Sequence, residues 1–459
     1  MRYFSTRDRS TNVNFSVAAL TGIAPDGGLY VPETIPELPV AVRSSLSTMD
    51  FRDIAFETVK PFTTSDIPAS VLRDLIVDAF NFSAPLVPVG DRLVLELFHG
   101  PTAAFKDFGA RFMARTFAWL RRNEDRKLRI LVATSGDTGG AVADGFFGVE
   151  GIDVTVLYPQ GRVSPLQERQ IAGLGGNVSA FAVDGSFDDC QALVKQAFTD
   201  PSFNKRHSLS SANSINIARL IPQAIYFIAA AGKASKGVFD ADAGSTPRRP
   251  GPSASPVHLV PGMPLVFCVP SGNFGNLTAG LFAKHMGAPI DHFVAATNDN
   301  RTIPDYLVAG EYRPRPSVPT ISNAMDVGAP SNFERMSALW SFPELSRMIS
   351  GASTNDKETK ASLERVWTRH GYALDPHGAV GWRALDETES RDGLTGSLKV
   401  LLATAHPAKF SETVEPLIGE LPVPPSLSAA MKRQILAKNI PSTLRALVDA
   451  LETLEAGAT

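Results

Sequence analysis

Leu128-Arg-Ile-Leu-Val-Ala-Thr-Ser-Gly-Asp-Thr-Gly-Gly140 is the stretch on which the fold turns. Leu128–Ala133 reads as an apolar strand, Thr134 to Gly140 as a glycine-rich turn, and the run to Phe147 as a helix. Strands that are apolar along their whole length are buried on both faces, as in parallel sheets covered by helices. Working outward, Val154–Tyr158 and Val178–Val183 read as strands, with helices at Leu166–Leu174 and Phe187–Phe198. Upstream, the strand Leu93–Leu97 precedes a helical run from Phe108 to Leu120. Downstream, Asn213–Ala231 reads as one long amphipathic helix, and Pro264–Val269, His292–Ala296 and Leu398–Ala403 read as strands. Strands alternating with helices predict βαβ units, and so an α/β fold with parallel sheets.

The flanks are organised differently. Residues 1–85 predict a small N-terminal α+β domain, with helices at Phe51–Val59 and Ile67–Phe80 and no catalytic constellation. Residues 232–262, rich in Gly, Ala, Ser and Pro, predict a surface insertion. Beyond residue 410 the chain reads as helical to Thr459, with a Pro-rich link at Leu421–Pro425. The expected division is 1–85, a larger domain from 86–125 with 205–459, and a smaller α/β domain over 126–204.

At 459 residues the chain is long enough for two or three cores. Its net charge of −3 carries no basic footprint for nucleic acid. Two cysteines, Cys190 and Cys268, form neither a disulfide framework nor a zinc pattern, and fit a reducing compartment. The opening Met1-Arg-Tyr-Phe-Ser-Thr-Arg7 lacks an apolar signal core, and no apolar run is long enough to span a bilayer. The expectation is a soluble cytoplasmic protein without a metal site.

Chemistry concentrates at the strand ends. The turn after Ala133 and the turn Pro270-Ser-Gly-Asn-Phe-Gly-Asn276 each leave an apolar strand and open a helix. Such turns gather backbone N–H groups at the positive end of a helix dipole, where anions bind. Neither matches a Walker loop or a dinucleotide fingerprint. Glu96-Leu-Phe-His-Gly-Pro-Thr-Ala-Ala-Phe-Lys-Asp-Phe-Gly109 places Lys106 among phenylalanines near a helix start. Desolvation there favours the neutral amine, which can form a Schiff base with an aldehyde. Taken alone, the segment reads rather as an ordinary surface lysine with its stem packed on the phenylalanines. Thr404, at a third strand end, is either a hydroxyl for a heterocycle nitrogen or a helix cap. Asn216 and Arg219, three apart on a predicted helix, would present an amide and a guanidinium to a phosphate or carboxylate. His99 and His406 lie near these loops but are not taken as catalytic, because histidines satisfied by the fold are the commoner case.

Together these stretches resemble the threonine synthase family, pyridoxal-phosphate enzymes of fold type II. The matching segments are Tyr3–Pro32, Glu96–Ala114, Ala133–Gly145, Ser210–Arg219, Val269–Gly280, Asn323–Phe333, Asp375–Gly381 and Ala403–Thr413. Phe98-His-Gly-Pro-Thr-Ala-Ala-Phe-Lys-Asp-Phe108 with Thr404-Ala-His-Pro-Ala-Lys-Phe410 separates this branch from dehydratases and cysteine synthases of the same fold. The departure from the family pattern is the long 232–262 segment. The resemblance implies that Lys106 holds pyridoxal 5'-phosphate covalently and removes the Cα proton. It implies that Gly272, Asn273, Phe274, Gly275 and Asn276 cradle the cofactor phosphate, and that Thr404 meets the pyridine nitrogen. It further implies that Ser135, Gly136, Asp137 and Thr138 grip the amino-acid substrate, with Asn216 and Arg219 as candidates for its phosphate. The implied reaction turns O-phospho-L-homoserine and water into L-threonine and phosphate, in a monomer or homodimer. The alternatives are a phospho-lyase on the same scaffold, releasing 2-oxobutanoate, and a non-catalytic anion-binding protein.

Overall fold

The computed structural model describes residues 1–240 and 262–456. Along the chain the strands are β1 (Tyr3–Ser5), β2 (Tyr30–Pro32), β3 (Leu86–Val89), β4 (Arg92–Glu96), β5 (Leu128–Ala133), β6 (Ile152–Pro159) and β7 (Val178–Asp184). They continue as β8 (Leu209–Ser210), β9 (Leu265–Pro270), β10 (His292–Thr297), β11 (Ile349–Ser353), β12 (Leu398–Ala403) and β13 (Lys438–Pro441). β1 and β2 form an antiparallel pair. A six-stranded sheet runs β11-β10-β9-β12-β4-β3, and a five-stranded sheet runs β13-β7-β6-β5-β8. Every pairing in the smaller sheet is parallel, and only β3–β4 is antiparallel in the larger. This is the expected α/β architecture, and β4, β5, β9 and β12 match the apolar runs because both faces of each are covered.

Several expectations need correction. The C-terminal region is not wholly helical. β13 pairs with Phe181–Asp184 of β7, with Ile440 buried, and covers what would otherwise be an open sheet edge. β13 and β8 therefore belong to the smaller sheet, although both fall within 205–459, the range expected for the larger domain. The single helix over Asn213–Ala231 is in fact Ile217–Leu220, a 3-10 turn at Ile221–Gln223, and Ala224–Ala234. Pro222 has no N–H to offer and tightens the chain, and Asn216 is a cap rather than a helical residue. The helix also runs past Gly232, the expected start of the insertion. Asp240 is ordered, accepting from the Leu86 N–H at 2.8 Å and pairing with Lys233 at 3.1 Å. The rest of the insertion, 241–261, lies outside the described residues.

The helix Lys106–Leu120 lies at the centre of the aromatic core. Phe108 meets Tyr226 at 5.3 Å and Phe82 at 4.9 Å, and Phe112 stacks on Phe80 at 6.2 Å. Each buried phenylalanine contributes about 1.5–3 kcal/mol of burial energy, so the first turn of this helix sits on a rigid base. Gly109 lets the helix approach the backbone of residue 219: a Cβ there would lie 2.7 Å from the Arg219 carbonyl oxygen. Alanine is normally better than glycine inside a helix, by about 1 kcal/mol. Here the rigid backbone contact reverses the sign, and Gly109→Ala is expected to destabilise by about 1–3 kcal/mol. A urea midpoint at or above that of the parent would contradict this.

Candidate active site

The site forms where the C-terminal ends of β4, β5, β9 and β12 converge, the edge at which open α/β sheets bind ligands. β4 and β12 are parallel neighbours, with Ala403 opposite Glu96. Their pairing continues past the strands: the Leu97 N–H donates to the Ala403 carbonyl at 3.0 Å, and the Phe105 N–H to the Thr404 carbonyl at 2.8 Å. Ala103 takes a positive φ of 53° in this turn, an uncommon conformation for a residue with a side chain. The result places Lys106, the first residue of its helix, beside Thr404 on the wall of a cavity of about 360 Å³. Two segments about three hundred residues apart in sequence thus meet through backbone hydrogen bonds.

Among the described residues the Lys106 amine makes no hydrogen bond or ion pair with the protein; its nearest aromatic face is Phe105, 5.8 Å away. Burial pushes this amine down to about 8, against the opposing pull of Asp137 and with help from Arg219 and Lys409. A pKa near that value leaves a useful neutral fraction at ordinary pH. The neutral fraction rises from about a tenth to about nine-tenths between about pH 7 and about pH 9, then levels off. In the cofactor-free protein, aldehyde capture at Lys106, followed by reduction and peptide mapping, is expected to trace that curve. Capture still climbing tenfold per unit above about pH 9 would mean an ordinary solvated lysine.

The loop Gly272–Asn276 lines the same cavity throughout and opens the helix Gly275–His285. Phe274 adopts a left-handed φ of 59° just before that helix, which turns successive N–H groups into one concavity. The side chains of Asn273 and Asn276 are occupied in holding the loop. Asn273 donates to Ser214 Oγ at 2.5 Å and accepts from the Ser331 N–H at 2.5 Å. Asn276 bonds Ser271 and donates to the Pro270 carbonyl at 2.9 Å. An anion there would meet backbone N–H groups. Buried Arg335 braces the loop from behind, donating to the Tyr30 carbonyl, Asn332 Oδ1 and the Ile215 carbonyl, while Asn332 donates to the Asn273 carbonyl. The N-terminal strand pair is thereby tied to the site.

After β5, Ser135, Asp137 and Thr138 line the cavity. Gly136 does not; its φ of 144° makes the turn, and a Cβ would strike Gln167 at 2.5 Å. Thr134 Oγ1 accepts from the N–H groups of Gly136 and Gly139 at 3.0 and 2.8 Å, holding the loop in shape. Asp137 points to Lys409, 2.7 Å away, and to Gln167, 3.1 Å away. Burial raises its carboxyl, but Lys409, Lys106 and His377 outweigh that and hold it below the usual carboxylate range. Lys409 also donates to the Thr102 carbonyl at 2.9 Å, and Thr102 in turn bonds the Asp107 carboxyl at 2.5 and 2.9 Å.

Asn216 is not part of the cavity wall. Its amide donates to the carbonyls of Ala19 and Ser211 at 2.8 and 2.9 Å, and its oxygen caps Ala218 at 2.9 Å, leaving nothing for a ligand. Arg219 does line the cavity, with a buried Nε that has no partner, and burial lowers it to about 10. His99 bonds Glu96 at 2.8 Å, and His406 caps Ala408, so both serve the fold. The sequence reading missed His377, Asp326 and Lys409. Burial pushes Asp326 up to about 6 against bonds from Thr320 and Asn298 and the charge of His377. The one hint to these residues was that the segments containing them stand among the family-like stretches.

Three family descriptions match the chain: "Threonine synthase N terminus" over 2–80, "Pyridoxal-phosphate dependent enzyme" over 88–404, and "Threonine synthase, C-terminal" over 378–451. A threonine synthase of Serratia marcescens is 40% identical over 96% of this chain and 97% of its own. The crystal structure of threonine synthase from Escherichia coli superposes with a TM-score of 0.85 and 38% identity, covering 99% of this chain and 100% of that one. A pyridoxal-phosphate-bound threonine synthase from Brucella melitensis gives a TM-score of 0.85 at 35% identity, covering 99% of both chains.

Proposed function

The chain belongs to the threonine synthase family, fold type II lyases that use pyridoxal phosphate, and on that premise we propose that this cavity converts O-phospho-L-homoserine and water to L-threonine and phosphate. The observation that carries the reading is the Lys106 amine, without a hydrogen-bond or ion-pair partner among the described residues and lowered by burial, set with Thr404 and the Gly272–Asn276 loop on one cavity wall.

The residues present fit the cofactor. Lys106 would hold it covalently, the N–H groups of Gly272–Asn276 would take its phosphate, and the Thr404 hydroxyl would meet its ring nitrogen without fixing a charge there. Bound there, pyridoxal phosphate supplies an electron sink next to the substrate's amino group. Lys106 Nζ, neutral in useful proportion, takes the Cα proton. Ser135 and Thr138 orient the substrate's amino-acid end, on a loop that Asp137 anchors through Lys409. Arg219, with a free Nε, is the candidate for the substrate phosphate; Asn216 is not carried forward. Limiting water around the bound substrate would favour addition of one water at Cβ over loss of the carbon skeleton as 2-oxobutanoate.

In this reading the protein acts in threonine biosynthesis in the cytoplasm, as a monomer or homodimer, on a small molecule rather than on nucleic acid or a membrane. Residues 1–85 would form the N-terminal domain, and the larger, mostly parallel sheet and the smaller, all-parallel sheet would centre the cofactor-binding and substrate-gripping domains. The test is an absorbance spectrum of the purified protein before and after O-phosphohomoserine, with threonine and phosphate assayed together. A cofactor band that shifts with substrate, and equal rises of both products, is the expected result. Phosphate with 2-oxobutanoate and no threonine would make the protein a phospho-lyase. No band after reconstitution would remove the enzyme reading.

A further inference from the structure

Arg335, in the helix Asn332–Leu339, is 0% exposed. Its guanidinium donates to neutral acceptors: Nε to the Tyr30 carbonyl at 3.1 Å, Nη1 to Asn332 Oδ1 at 2.5 Å and Nη2 to the Ile215 carbonyl at 2.7 Å. None of these is a carboxylate. The one carboxylate whose charge acts on it belongs to Glu334, and Glu334 is already taken by Arg7, through two bonds of 2.9 Å, and by Thr6 at 2.6 Å. Burial lowers the guanidinium to about 9, which leaves it charged at neutral pH. Buried charges are ordinarily paired. This one gains a counter-charge when an anion occupies the Gly272–Asn276 loop.

The connection to that loop runs through Asn332. A guanidinium only donates, so the Asn332 atom facing it is the oxygen, and the amide N–H groups face the other way. They donate to the Asn273 carbonyl at 3.0 Å and to the Ser214 carbonyl at 3.3 Å. The approach is close: a Cβ on Gly275 would lie 3.3 Å from Asn332 Nδ2. The Asn273 carbonyl and the Phe274 N–H belong to one peptide unit. A hydrogen bond accepted at its oxygen makes its N–H a stronger donor. The backbone N–H groups of Gly272, Asn273, Phe274, Gly275 and Asn276 have no acceptor among the described residues. Building on the reading of this loop as the cradle of the cofactor phosphate, we propose that Arg335 and Asn332 are positioning residues that strengthen the cradle from behind. The guanidinium polarises the Asn332 amide, the amide polarises the Asn273–Phe274 peptide, and the two together set how strongly the site prefers an aldehyde that carries phosphate over one that does not.

The test uses the full-length protein stripped of cofactor, titrated with pyridoxal 5'-phosphate and with pyridoxal, which can form the same imine at Lys106 but brings no phosphate. The wild type is expected to bind the phosphate ester more tightly. Arg335→Gln should lower that preference at least about tenfold while the dissociation constant for pyridoxal stays within about threefold. Arg335→Lys, which keeps a cation, should fall between Arg335→Gln and the wild type. Inorganic phosphate, measured as a competitor of pyridoxal 5'-phosphate, should weaken in step. If Arg335→Gln fails to fold, Asn332→Leu carries the same readout, since it removes the donor to Asn273 and leaves the guanidinium in place. A preference unchanged in the variants would overturn the proposal. So would equal losses for the two aldehydes, the result of a brace that only holds the fold. A wild type with no preference for the phosphate ester would defeat the reading of the loop and this inference with it, and no imine with either aldehyde would defeat the proposed function itself.

Discussion

Lys106→Ala is expected to fold, to show no covalent cofactor band, and to lose turnover by at least about 10⁴-fold. Lys106 lines the cavity and, among the described residues, has no hydrogen-bond or ion-pair partner; its helix rests on Phe108 and Phe112, which the substitution leaves alone. Stability supplies an independent sign. Burial lowers the folded amine to about 8, below its unfolded value, so between those values the unfolded chain binds the proton that the folded chain has released. The cofactor-free wild type therefore gains stability as pH rises from about 8 to about 10.4, and Lys106→Ala lacks that gain. Urea midpoints across this window, read with the absorbance spectrum, check both parts. A variant that kept the band would place the covalent link elsewhere.

Lys409→Met is expected to cost about 3–5 kcal/mol, because it leaves the Asp137 carboxylate buried without its cation. Lys409 is fully buried at its amine end and joins the segment after β12 to the helix after β5, so the loss falls on the contact between the two sheets' site loops. With Lys409 gone, the strongest influence opposing desolvation of Asp137 disappears, and its carboxyl should rise. Asp137→Asn in the same chain removes the stranded charge and should recover part of the stability, though not the loop's grip on substrate. Denaturation midpoints of the two single variants and the double, analysed as a cycle, give the coupling directly. Additive losses would show that the pair contributes nothing beyond its separate side chains.

Lys106, Thr404 and the Gly272–Gly275 turn were legible because each is local. An apolar run ends, a turn residue intervenes, a helix begins, and the chemistry sits at that junction. Asn216 misled for an equally local reason: its spacing to Arg219 suits a helix face, but an asparagine there caps the helix instead, and Pro222 ends the expected continuation. His377 was hidden because Asp375-Pro-His reads as a helix start, and Lys409 because its partner lies 272 residues away, at Asp137. By itself the sequence determined the alternation of strands and helices, the parallel sheets and the strand-end turns, since these follow from hydrophobic runs and turn chemistry between near neighbours. Only the tertiary structure decided that β12 lies between β9 and β4, that β13 closes the smaller sheet, and that His377 and Asp137 come within each other's field. An apolar strand buried on both faces carries no mark of which strand it pairs with. That choice is made by the packing of the whole core.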